Sequence, residues 1–189
     1  MILPRLRAGT RELHVRLEKT VDLPRRLSSL EAYRALLEDF YGLYQPLEAR
    51  LAAHSQLSDS GLATSRLQKH ALLEADLNAL GCSVEAIRSI RKCDRLPVFT
   101  DVFSAAGSLY VLEGATLGGQ IVRREVDQRL GLSDQQGCLF FSSYGARVKE
   151  MWDGFCRELT ALATDDDGHG ESILKGACET FVRFEEWMR

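Results

Sequence analysis

The segment Leu109 to Gln120, LYVLEGATLGGQ, limits what this chain can fold into more than any other. It lies in a long apolar run, Val98 to Val126, whose other residues favour a helix. A glycine inside a helix costs about 1 kcal/mol relative to alanine, yet Gly107, Gly114 and Gly118 all fall here. Their spacings of seven and four put them on one helical face, bordered by Tyr110. A strip of bare backbone lets a helix bend and approach something flat and rigid. The same strip also suits the close approach of a neighbouring helix, so the glycines alone leave two readings open.

The rest of the chain reads as helix after helix. Leu6, Leu13 and Leu17 flank His14 at helical spacing, which predicts a first amphipathic helix from Pro4 to Lys19. Leu23-Pro24 marks a break, and Ser28-x-x-Glu31 reads as a capping box opening a second helix that Pro46 kinks and that continues to about Ala53. A polar loop is expected from His54 to Gly61, a helix from Leu62 to Leu80 ending at Gly81, and a short helix capped by Ser83. The glycine-bearing helix follows Pro97 and stops at Gly131. Ser142 or Ser143 opens another helix to about Ala163, the run Asp165 to Gly170 reads as a solvated loop, and a last helix starts at Glu171. No strand, repeat or low-complexity region emerges, so the expectation is a single all-α domain over residues 1–189.

Composition excludes several classes of function. A net charge of -3 gives no reason to propose nucleic acid as a partner. Glu113 interrupts the best candidate for a membrane span, and the first ten residues lack the apolar core of a signal peptide. Cys82, Cys93, Cys138, Cys156 and Cys178 are scattered, with no CxxC pair, as in a reduced cytoplasmic protein. That leaves His14, which shares a helical face with Thr10 and Glu18, as the candidate ligand among four histidines; His54, His70 and His169 fall in loops or beside polar residues. Imidazole is a common axial ligand of haem iron, but a lone helical histidine also serves as a hydrogen-bonded structural residue.

Two segments together decide the reading. Leu6-Arg7-Ala8-Gly9-Thr10-Arg11-Glu12-Leu13-His14 resembles the proximal histidine helix of haem oxygenases, and Tyr110 to Gln120 resembles their kinked distal helix, most closely in the short bacterial members. Weaker similarity runs through Leu43 to Leu51, Leu72 to Gly81 and Phe181 to Glu186 in collinear order. The resemblance implies an all-α fold with haem b, both substrate and cofactor, between the first helix and the glycine-rich one. It implies that O2 and an external reductant, of ferredoxin or flavoprotein type, open the ring to biliverdin with release of iron and carbon monoxide.

Carried over residue by residue, the resemblance makes His14 the iron ligand and Glu18 its carboxylate partner. Gly114 and Gly118 form the bare distal face, and Arg7, Tyr110 and Lys149 anchor the propionates; Arg7 and Tyr110 resemble the arrangement that goes with biliverdin IXα. Two positions depart from the longer members: Ala115 replaces an aspartate that organises distal water, and Asp153 replaces an arginine near the propionates. A non-catalytic haem carrier or sensor on the same fold is the alternative. A helical interaction protein whose glycines seat a partner helix is a further one, and the thiamin-degrading relatives of this fold rank below both because no cysteine has an acid–base setting.

Overall fold

The computed structural model describes residues 1–63, 65–163 and 167–189. The helices among them are α1 (Ile2–Val21), α2 (Leu23–Arg26), α3 (Leu30–Ala52), α4 (Ser55–Asp59), α5 (Lys69–Ala79), α6 (Val84–Ser89), α7 (Val102–Leu130), α8 (Leu139–Ser142), α9 (Val148–Ala163) and α10 (Asp167–Met188). No strand occurs among the described residues. The all-α class expected from the sequence is therefore the class observed.

Helix ends set by local chemistry fall close to where the sequence places them. Ser83 caps α6 through the amide of Ala86, and Gly131, at φ 68°, closes α7 in the left-handed conformation that glycine tolerates. Ser29, not Ser28, caps α3: its backbone is extended and its hydroxyl accepts the Ala32 amide at 3.1 Å. Pro46 lies inside α3, which continues to Ala52. Because Pro46 has no N–H, the carbonyl of Gly42 one turn earlier is released, and it accepts the amide of Cys93 at 2.8 Å. A β-carbon on Gly42 would meet the Arg91 carbonyl at 2.5 Å, so glycine and proline together form the notch in which residues 91–93 dock.

Helix ends set by distant residues depart from the sequence reading. The helix expected from Leu62 begins only at Lys69, where the buried carboxylate of Glu48 accepts the amides of Lys69 and His70 at 3.0 and 3.1 Å. Buried Asp76 does the same for α8, accepting the amides of Leu139 and Phe140 at 2.7 and 2.8 Å. The helix expected from Ser142 or Ser143 starts at Val148, because Ser143 has a φ of 39° and turns the chain first. Residues Ser55–Asp59 of the expected polar loop form α4 around the buried Leu57. Within the expected acidic loop, Asp165 and Asp166 lie outside the described residues, whereas Asp167 to Gly170 already belong to α10 and His169 stacks on Phe103 at 3.8 Å.

The frame is the packing of α10 across α7 and α1. Where α7 and α10 cross, a β-carbon on Gly107 would lie 2.0 Å from the Ile173 carbonyl oxygen, and one on Gly176 would lie 2.0 Å from that of Ser104. The two backbones are thus in direct contact. Nearby, Ser172 donates its hydroxyl to Asp101, the residue that caps α7, at 2.8 Å. Gly107 therefore seats a helix, the alternative that its spacing left open. Gly114 and Gly118, further along α7, are different: a β-carbon on Gly114 would reach only the Trp152 ring at 3.7 Å, and one on Gly118 would meet nothing within 4 Å.

Alanine at Gly107 should destabilise the protein by at least ~3 kcal/mol, because the obstacle is backbone that cannot step aside. At Gly118 alanine should be neutral or stabilising by up to about 1 kcal/mol; urea unfolding of the two variants measures the contrast. Asp76 yields a pH prediction. Burial pushes its carboxyl up to about 6, against the two amides that favour the ionised form. The native group keeps its proton to a higher pH than the unfolded one, so its contribution to stability falls as pH rises from about 4 to about 6. Asp76→Asn should remove that slope while costing about 1–3 kcal/mol at pH 7, since one amide loses its acceptor.

Candidate functional site

The cleft between α1 and α7 arises from how these helices are buried. The fully buried residues of α1 are Ile2, Leu6 and Thr10, so its second half, including His14, is left facing a cavity. Across that cavity runs the stretch of α7 from Leu112 to Val122. The space has two lobes of about 340 and 380 Å³, and His14, Leu17, Gly114, Ala115 and Phe184 line both. An aromatic floor closes the first lobe, formed by Phe40 and Tyr44 of α3, Phe140 and Phe141 of α8, and Phe184 of α10. These rings meet mostly edge to face at 5.0–6.2 Å, which fixes the floor as one rigid unit.

On α1, His14 is 58% exposed and packs edge-on against Phe181 at 5.8 Å. Its Nδ1 lies 3.6 Å from Glu18 Oε2 one turn later, just outside hydrogen-bond reach. Among the described residues no group of three or more His, Cys, Asp or Glu side chains is arranged to hold a bare metal ion.

Arg7, Arg11 and Tyr110 line the second lobe. Tyr110 leans on Trp152 with ring centroids 5.5 Å apart; burial pushes its hydroxyl pKa up, and the neighbouring Arg7 guanidinium works against that shift. Arg7, Tyr110, His14, Glu18, Gly114 and Gly118 are thus gathered around one cleft. Lys149 is not: it is 85% exposed, lines neither lobe, and pairs with Asp153 at 2.5 Å, one turn on along α9. The local i,i+4 partner claims the charge that the sequence assigned to the cleft.

Sequence reading passed over one member of the wall. Lys69, the first residue of α5, is buried yet lines the first lobe, and its ammonium contacts Glu113 of α7 at 2.5 Å. Tyr144 donates to the same carboxylate at 3.0 Å, and Arg66 stands 3.7 Å from it. In the sequence Glu113 stands out only as the charge that breaks an apolar run. A glutamate one residue before Gly114 in so apolar a helix was the available signal, because a carboxylate there must be paired or exposed.

Comparison with known proteins agrees with this architecture. A family profile described as Heme oxygenase matches residues 2–189. The fold is similar to that of the NO- and CO-bound haem oxygenase from Neisseria meningitidis, with a TM-score of 0.80, 21% identity, and coverage of 98% of this chain and 89% of the other. It is also similar to haem oxygenase from Leptospira interrogans, with a TM-score of 0.77, 23% identity, and coverage of 100% and 98%. No curated protein gives a significant sequence match. With the profile spanning nearly every residue, the chain belongs to the haem oxygenase family, enzymes that degrade haem.

Proposed function

We propose that this enzyme binds haem b between α1 and α7 with His14 on the iron and opens it to biliverdin IXα, carbon monoxide and iron. The reaction takes O2 and electrons from an external ferredoxin- or flavoprotein-type reductase, in the cytoplasm. One observation carries the reading: His14 and the bare strip at Gly114 and Gly118 line the same cavity from opposing helices. Haem, when bound, supplies both the metal that activates oxygen and the ring carbon that is oxidised.

The residues present fit such a guest. The aromatic floor with Leu17, Leu112 and Val122 suits a flat apolar ring and excludes water from it. Glu18 stands 3.6 Å from Nδ1, and closing that gap would let it orient the His14 ring and leave Nε2 for the metal. The open space at Gly118 leaves room for a small ligand opposite His14, and no acidic or basic side chain of the strip intrudes there. Arg7 and Arg11 offer guanidinium groups to two propionates, and Tyr110 adds a hydroxyl from the facing helix. Lys149 would join them only by leaving Asp153.

Mixing the protein with haem, a reductant and air tests the function. The haem absorbance should decay and a biliverdin pigment should appear; haem that persists would point to a carrier or sensor. His14→Ala should lose the iron–histidine vibration of the ferrous complex, retain part of the haem affinity through apolar burial, and recover the vibration with free imidazole. An unchanged vibration in the variant overturns the ligand assignment. Arg7 and Tyr110 reach the second lobe from opposite walls, so together they fix how the ring is rotated. Chromatography should find the IXα isomer from the wild type and mixed isomers from Arg7→Asn combined with Tyr110→Phe; a wild-type product dominated by the β or δ isomer means that the anchors are wrong.

A further inference from the structure

On the α7 side the first lobe is lined by glycines and apolar side chains apart from Thr116, whose hydroxyl is held by the Glu113 carbonyl, and Lys69 of α5. Burying a charge beside an apolar cavity is costly unless it is paired, and here each of the three ammonium donors has an acceptor, one of them weak. Lys69 Nζ donates to the Arg66 carbonyl at 2.9 Å and to Glu113 at 2.5 Å, while its third contact, to the Tyr144 hydroxyl, is stretched to 3.4 Å. Glu113 has reserves of its own. It keeps the Tyr144 hydroxyl at 3.0 Å, and Arg66 Nε, buried and without any hydrogen-bond acceptor, waits 3.7 Å away. Should Lys69 turn toward the cavity, Arg66 can take its place on the carboxylate.

We propose that Lys69 is a positioning residue of the haem site, a buried cation that donates into the lobe opposite His14 and favours anionic or hydrogen-bond-accepting small ligands there. The inference rests on the haem-binding reading above. The other charges of the cluster stand behind Lys69. Glu48 is occupied by the Lys69 and His70 amides and by the His70 ring at 2.5 Å, and Glu158 is held by Arg66 at 2.9 Å at the surface. Within this cluster Lys69 lines the lobe, so an ammonium turned away from Glu113 would bring its charge there, with Glu18 of α1 in the same lining. Ala115 contributes no polar side chain, so the cation at this lobe comes from α5 instead.

The test is azide titration of the ferric haem complex, read from the visible spectrum, with carbon monoxide binding to the ferrous complex as the neutral control. Lys69→Met should weaken azide on the order of tenfold and change carbon monoxide affinity much less. Glu113→Gln, which removes the counter-charge, should strengthen azide severalfold. A purely structural pair would shift both variants in the same direction or in neither. Because Lys69→Met strands a buried carboxylate, the double variant Lys69→Met with Glu113→Gln supplies a charge-balanced form, which should still bind azide weakly. Wild-type azide affinity in the haem-loaded double variant overturns the role of Lys69 and leaves the haem reading intact. A wild type that takes up no haem overturns both.

Discussion

The close crossing of α7 and α10 is the constraint on which the site depends. With Gly107 against the Ile173 carbonyl and Gly176 against that of Ser104, the backbones meet with no side chain between them. A contact of this kind tolerates little sliding, because any displacement drives backbone into backbone. It fixes where α7 leaves α10, and so where the next turns of α7, carrying Gly114 and Gly118, come to face α1. Since α10 packs on α1 as well, one helix sets the separation of both walls of the cleft. Arg16 and Glu185, paired at 2.5 Å, reinforce that joint near His14.

The cleft is chemically asymmetric. Its floor and most of its walls are aromatic and aliphatic, the second lobe carries Arg7 and Arg11, and a paired charge stands behind the glycine strip. A flat amphiphile with one acidic edge fits that distribution, its apolar body buried and its carboxylates toward the guanidinium groups. In the proposed complex the bare strip of α7 and the imidazole of α1 would address the two faces of that guest, each from a helix rather than a loop.

Much of this was legible in the sequence, for physical reasons that can be named. Helical periodicity around His14 and the glycine spacing in α7 are local signals, and they identified both walls. What escaped was long-range. Glu48 and Asp76 cap helices 21 and 63 residues away, so the starts of α5 and α8 obey no nearby residue. The three glycines share a face but not a neighbour, since α10 covers that face at Gly107 and has diverged from it by Gly118. Lys149 looked available because its partner Asp153 was read as a mere departure from a pattern. Lys69 was invisible because nothing in a polar stretch, Gln68-Lys69-His70, announces burial against a helix more than forty residues away.

The second half of α1 has a consequence for the life cycle of the site. From Leu13 to Val21 the helix buries no residue fully, although Leu13, Leu17 and Val21 all turn toward the core. Leu17 and Val21 also line the cleft, so a guest there would contribute part of their packing, and occupancy and the order of this helix would be thermodynamically linked. An empty cleft leaves α1 free to fray from its C-terminal end at little cost, and amide exchange there should be faster than in α7 or α10. A rigid planar ring bound as proposed would complete the layer and hold the helix. Its conversion to a flexible open chain would remove that rigid partner, so the same loosely packed helix that admits the substrate would also give the product a way out.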